Sequence, residues 1–161
     1  MTGLTIRRLK TSEADVYRRV RLEALKESPK AFSTSYEQAL ARSEESWVAQ
    51  AESAVCGSDR AIFVAVEEAQ PVGVAAVFRD DAATSEGELL QMWVAPSCRG
   101  KGVADQLLSA LTQWAVAGSM KVINAEVTAG NDRALGFYQK HGFRVQARDA
   151  NSWLMVLELV R

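Results

Sequence analysis

The stretch CRGKGVADQLL, residues 98–108, sets Arg99, Gly100, Lys101 and Gly102 side by side where an apolar helical pattern begins. Glycines free the backbone for left-handed turns and leave no Cβ in the way of a ligand. The start of a helix adds N–H groups without intrahelical acceptors and about half a positive charge from the aligned peptide dipoles. With two cations beside it, such a corner suits a phosphate or pyrophosphate. Three loop patterns compete for it. A G-x-x-x-x-G-K-[ST] loop fails at both ends, where Ala95 and Gly102 stand. A G-x-G-x-x-G loop fails at Asp105, the place of the glycine that lets helix and strand pack closely. The pattern [RQ]-x-x-G-x-[GA] is met by Arg99, Gly102 and Ala104. A solvated basic turn is the bland alternative, and the strand-like run before the loop and the apolar stripe after it argue against that.

Two other groups of residues carry chemistry. In NDRALGFYQKHGF (131–143), Tyr138 follows Asn131 by two helical turns, so both lie on one helix face. A phenol, with a pKa of about 10, can donate a proton or a hydrogen bond. A tyrosine that merely packs beside Phe137 is the alternative. In ELLQMWV (88–94), strand alternation puts Glu88, Leu90, Met92 and Val94 on one face. Glu88 is then either a general base beside an apolar wall or an exposed strand-start residue. His141, the single histidine, reads as decoration of a helix C-terminus. Cys56 and Cys98 form no C-x-x-C pair, and one histidine cannot complete a cysteine/histidine zinc site, so no metal is expected. Cys98 has no histidine near in sequence to activate it as a nucleophile.

These groups need a scaffold. LTIRRL (4–9) alternates as a strand, and TSEADVYRRVRLEALKES reads as a helix with Ser12 as N-cap and Val16, Val20 and Ala24 on its apolar face. KAFSTSYEQALA is a loop with a helical turn, and Ser43 caps a second helix over EESWVAQAES. AIFVAVE (61–67) and VGVAAVF (72–78) form a hairpin, followed by the strand 88–94 that Pro96 ends. Val103, Leu107, Leu108, Leu111, Trp114 and Ala115 then make one apolar stripe on the chain's best helix. A strand at 121–127, a short helix at 132–141 closed by Gly142, and strands at FRVQAR and WLMVLEL complete a β-α-α-β-β-β-α-β-α-β-β order. That is mixed α/β, and with no composition shift or repeat, residues 1–161 read as a single domain.

Lys plus Arg number 19 and Asp plus Glu 20, which argues against a dedicated nucleic-acid binder. No apolar run follows the charges of MTGLTIRRLK as in a secretion signal, and no stretch reaches the ~18 apolar residues a membrane span needs. The expectation is a cytoplasmic protein with reduced thiols and no membrane partner.

The loop RGKGVA, the strand and proline before it, the helix after it, and N-x-x-A-x-x-x-Y-x-K-x-G-F at 131–143 together resemble the GNAT superfamily of acetyl-coenzyme A dependent N-acetyltransferases. The resemblance is dense over residues 88–143. It implies a single mixed sheet of about six to seven strands flanked by about four helices. It also implies transfer of an acetyl group from acetyl-CoA to an amine by direct attack in a ternary complex. On this mapping Met92, Trp93, Val94, Arg99, Gly100, Lys101, Gly102, Val103, Ala104, Asn131 and Tyr138 hold acetyl-CoA. The Val94 N–H faces the thioester oxygen, and Tyr138 and Glu88 are the catalytic pair, or ordered water replaces Glu88. Asn131 is equally placed to cap its helix. A lid at residues 28–47 offers Phe32, Tyr36 and Trp47 to an acceptor pocket that Trp153 closes, with Glu37, Glu44 or Glu45 attracting a cation. The acceptor is a small-molecule or peptidyl amine, and a homodimer is compatible with the resemblance. A non-catalytic acetyl-CoA sensor and, more remotely, a mononucleotide-binding domain are the competing readings.

Overall fold

A computed structural model describes residues 3–32, 34–79 and 85–159. Among these residues one sheet of seven strands runs in the order β1-β2-β3-β4-β5-β7-β6. The strands are β1 (Leu4–Arg8), β2 (Arg60–Glu67), β3 (Gln70–Phe78), β4 (Glu86–Val94), β5 (Val122–Thr128), β6 (Arg144–Arg148) and β7 (Ser152–Glu158). Every neighbouring pair is antiparallel except β4 and β5. That parallel pair needs a crossover, and the long helix α4 (Val103–Ala117) supplies it. The other helices are α1 (Ala14–Glu27), α2 (Tyr36–Leu40), α3 (Glu44–Ser53) and α5 (Asp132–Lys140).

Each face of the sheet carries its own core. On one face Phe63, Val77, Leu89 and Ile123 pack against the α4 stripe of Val103, Leu107, Leu108, Leu111 and Ala115, with Tyr138 and Phe143 in the same cluster. On the other, Ile62, Val64, Val74 and Trp93 pack against Tyr17, Val20, Ala24 and Leu25 of α1 and Trp47 and Ala51 of α3. Helices therefore cover both faces, and the central strands β2 and β3 read as near-continuous apolar runs because both sides are buried.

Local chemistry sets the ends. The Ser43 hydroxyl accepts from the Ser46 N–H at 3.1 Å to start α3. Ser35 and Gln38 form a reciprocal capping box that makes α2 out of the ambiguous KAFSTSYEQALA segment. The expected cap at Ser12 is not used: its φ is +68°, and α1 starts one residue later behind Glu13. The Glu13 carboxylate instead accepts from both Arg7 Nη atoms at 2.8 Å and from the Lys10 N–H, so β1 and α1 are joined by an ion pair where a hydroxyl cap was expected.

Candidate active site

The site begins with one irregularity in β4. Val74 pairs with Trp93 but Ala76 pairs with Leu90, so β4 holds an extra residue opposite Ala75. Gln91 absorbs it with a φ of +62°. Such a bulge bends its strand and raises the local twist. Pairing of β4 with β5 runs from Glu86↔Val122 only to Leu89↔Ala125, and past that rung the two strands part. The Ala95 N–H donates to the Val72 carbonyl at 2.8 Å, which fixes the direction of the following backbone groups. Because N–H groups alternate along a strand, those of Trp93 and Ala95 face β3 and those of Met92 and Val94 face the gap.

The bulge also corrects the expected face of β4. Leu89 and Val94 belong to the α4-side core, with Met92 packed against it, whereas Trp93 belongs to the α1-side core. Leu90 and Gln91 both line a cavity on the α1 side. Glu88 and Leu90 therefore share one face, and Met92 and Val94 lie on the other.

The gap opens into a cavity of about 440 Å³ whose walls include Met92, Trp93, Val94, Arg99, Gly100, Gly102, Asn131 and Tyr138. Its floor is the loop before α4. Gly100 and Gly102 have φ of +80° and +84°, which β-carbon-bearing residues adopt only with strain. No atom lies within 4 Å of a Cβ placed on Gly100, and one on Gly102 meets only Asp105 at 4.0 Å, so the backbone conformation is what demands glycine. The first intrahelical bond of α4 runs from the Gln106 N–H to the Gly102 carbonyl at 3.1 Å. The N–H groups of Val103, Ala104 and Asp105 precede it and are free to meet an anion. Val103 and Ala104 line the same cavity, and Lys101 is exposed beside it.

Arg99 is more committed than a phosphate ligand would be. Its Nε donates to the Val94 carbonyl at 2.8 Å, and its Nη2 donates to Glu27 at 2.8 Å. The Trp93 indole N–H reaches the same carboxylate at 2.9 Å. Together with the Ser28 hydroxyl, whose hydrogen bond is the strongest influence, Arg99 and Trp93 hold the Glu27 carboxyl down at about 2.

α5 forms the far wall. Asn131 accepts from the Ala134 N–H at 3.2 Å as the helix cap and lines the cavity as well, so both expected roles are open to one side chain. Tyr138 is 7% exposed and packs on Phe143 at 5.0 Å between ring centres. Burial pushes its phenol pKa well above the usual tyrosine value, so it holds its proton. His141 does not enter the cavity: its Nε2 lies 2.6 Å from Asp105 Oδ1, tying the end of α5 to the first turn of α4.

A family model described as the acetyltransferase (GNAT) family matches residues 19–143, most of the chain. The chain belongs to the GNAT acetyltransferase family. No curated protein matches it in sequence. Among solved structures, a GNAT-family acetyltransferase from Streptococcus pneumoniae superposes with a TM-score of 0.84 at 17% identity, over 97% of this chain and 99% of that one. PaiA N-acetyltransferase from Thermoplasma acidophilum, solved with coenzyme A, gives 0.72 at 18% identity over 97% and 99%. A spermidine N-acetyltransferase chimera built from Vibrio cholerae SpeG and hSSAT gives 0.72 at 17% identity over 97% and 95%. At such identities the likeness is one of GNAT fold.

The GNAT fold gathers only part of the expected acceptor pocket. Phe32 lines the large cavity. Tyr36 is half-buried against the α1-side core, with Lys26 Nζ 6.0 Å from its ring centre. Trp47 is core: it is 1% exposed and meets Tyr17 edge-on at 5.6 Å, because the buried face of α3 has no other large side chain to fill that space. Trp153 pairs with Val127 across the strands and is stacked under Arg148 at 4.4 Å, away from the other three. Glu37, Glu44 and Glu45 are solvent-exposed on α2 and α3. Glu88 is exposed, lies opposite Asn124 one rung before the gap, and lines a separate cavity of about 410 Å³ with Leu90, Asn124 and Glu126. Sequence reasoning missed Glu27, Gln91, Tyr17 and Arg21. Gln91 carried no local signal, and the other three reach the site only through long-range packing of α1.

Among the described residues no group of three or more His, Cys, Asp or Glu is placed to hold a metal ion, and no helix is long and apolar enough to cross a membrane.

Proposed function

We propose that this chain, as one domain over residues 1–161, is an N-acetyltransferase that moves the acetyl group of acetyl-CoA to a primary amine of a small molecule in the cytoplasm. The observation that carries the reading is the β4–β5 gap, which runs from the freed Met92 and Val94 backbone to the glycine corner at Gly100 and Gly102. The residues present suit the co-substrate. Free amides at the start of α4 and the left-handed glycines fit a diphosphate, and the open edge of β4 fits the amides of a pantetheine arm as an added strand would. Acetyl-CoA supplies an activated thioester. The chain's own residues do the rest.

The Val94 N–H points into the gap as a preorganised donor for an oxyanion, where a fixed dipole costs no reorganisation. Tyr138, kept neutral by burial, is placed to give a proton or a hydrogen bond to a departing thiolate. An alkyl ammonium with a pKa of about 10.4 has to lose its proton before it can attack. Glu88, on the α1-side face of β4 with Leu90, is the carboxylate we assign to that task, directly or through water.

The test is thiol release from acetyl-CoA against a panel of amines, for the wild type, Tyr138→Phe and Glu88→Gln. An amine-dependent rate that falls in both variants supports the reading. Cofactor binding without any amine-stimulated release would leave only the sensor alternative.

A further inference from the structure

Among the described residues two charged side chains are buried, Arg79 and Arg21. Arg79 donates its Nε to the Ser58 carbonyl at 2.9 Å. Arg21 is different: it is 6% exposed, and its Nη1 is buried with no hydrogen-bond partner. No described carboxylate lies within ion-pair distance of it.

What surrounds Arg21 is neutral or positive. Its guanidinium carbon sits 5.0 Å from the Phe32 ring centre. The Tyr17 phenol lies against it one turn back on α1, and that hydroxyl donates to Gln91 Oε1 at 2.9 Å. Arg42, stacked at 4.0 Å over the Trp47 ring and bonded to Ser46, is near enough to disfavour the charge on Arg21 further. A guanidinium does not shed its proton to escape such a place. Phe32 is a wall of the large cavity, and Tyr17 and Gln91 are walls of a neighbouring one of about 260 Å³ on the α1 side of β4. Arg21 itself lines neither, but its guanidinium packs against Phe32 and Tyr17, one wall of each.

We propose that the acceptor is an amine that also carries a carboxylate, and that Arg21 is the counter-ion for that carboxylate. The inference rests on the N-acetyltransferase reading above and narrows its substrate class. A desolvated cation with no counter-charge and one N–H group unsatisfied is costly to the fold, and a carboxylate arriving in the same low-dielectric place forms a strong charge-assisted pair with it. The same cation repels a polyamine, so a substrate like spermidine does not suit this site. Arg21 acts on binding rather than on the reacting atoms, so it is a specificity residue.

The experiment pairs each amine with its carboxylated counterpart: phenethylamine with phenylalanine, cadaverine with lysine, and 3-(methylthio)propylamine with methionine. Ethanolamine and phosphoethanolamine report whether a phosphate does the same work. Thiol release and, on the protein saturated with coenzyme A, calorimetric binding are read for wild type, Arg21→Lys and Arg21→Met. The expected result is a preference for the carboxylated member of at least about 100-fold, as follows from leaving a buried charged group unsatisfied with the uncarboxylated one. In Arg21→Met that preference collapses and the acceptor KM rises at least about 10-fold while the KM for acetyl-CoA holds. Its Tm rises, since an uncompensated buried charge is gone, and Arg21→Lys retains part of the preference.

Equal use of both members of each pair overturns the proposal, as does a better result with phosphoethanolamine. So does an Arg21→Met variant that changes only Tm. The two readings fail separately. Carboxylate-dependent binding through Arg21 without turnover would sink the transferase reading alone, and turnover indifferent to the carboxylate would sink this one alone.

Discussion

The Arg99 guanidinium is held at 2.8 Å by Glu27, the last residue of α1, seventy-two positions earlier in the chain. Since Arg99 also donates to the Val94 carbonyl, this ion pair fixes the end of β4 whose N–H faces the gap. Glu27→Gln keeps the side-chain shape and loses the charge. It is expected to lower kcat/KM for acetyl-CoA by about 10-fold, as loss of a charge-assisted bond to a positioned group does. Steady-state kinetics with acetyl-CoA varied check it, and an unchanged kcat/KM would mean that Arg99 holds the strand end without help.

The same carboxylate predicts an acid limb in stability. Its folded pKa of about 2 lies below the ordinary 4.5, so it releases its proton more readily when folded. Its contribution is then complete above about pH 4.5 and is lost as pH falls toward 2. About a third of the Glu27 side chain is exposed, so solvent and salt screen the effect. Urea midpoints measured from pH 5 to pH 2 are expected to fall less steeply in Glu27→Gln than in the wild type, and the difference to shrink in high salt.

Tyr138→Phe removes one oxygen from a buried ring without disturbing its packing on Phe143. The kcat is expected to drop by about 100-fold, the low end of the usual range for an acid catalyst, while coenzyme A affinity changes less than about 2-fold. Because burial raises the phenol pKa, the wild-type rate is expected to show no alkaline fall from Tyr138 ionisation up to about pH 10, its unperturbed value. A fall below that pH that is absent in the phenylalanine variant would contradict the placement.

Gly100→Ala and Gly102→Glu separate conformation from charge in the loop. Gly100 has open space around it, so alanine there meets only the left-handed backbone penalty of about 1 kcal/mol. Gly102→Glu adds an acid at the mouth of the α4 N-terminus, and coenzyme A affinity is expected to fall by at least about 30-fold, as an anion is repelled from a site built for one. Calorimetry with coenzyme A reads both. Equal, small effects would mean that the diphosphate is held elsewhere.

What could be read along the chain was whatever a short window contains. The glycine corner, the α4 stripe, the Ser43 cap and the Asn131 cap each depend on neighbours within a few residues, and each stands where the pattern put it. The misplaced features depend on partners far away. Ser12 yields to Glu13 because Arg7 from β1 captures the carboxylate. Trp47 looked like a pocket aromatic because type alone does not tell which side of α3 meets Tyr17. Arg21 sits within a run of charged residues, YRRVRLEALKE, and nothing local marks it as the one turned inward. Strict alternation failed in β4 because a bulge needs only one residue with a positive φ, and glutamine is no signal for that.

That single surplus residue has a consequence for how this gene can tolerate change. Gln91 acts as a phase shift: upstream of it even-numbered side chains look toward α1, and downstream the odd-numbered ones do. Deleting Gln91 would restore regular pleating with Glu88, Leu90 and Trp93 still facing α1, so both layers would survive while the bend that helps part β4 from β5 would go. β4 can absorb swaps of side chain far more readily than a change in its length.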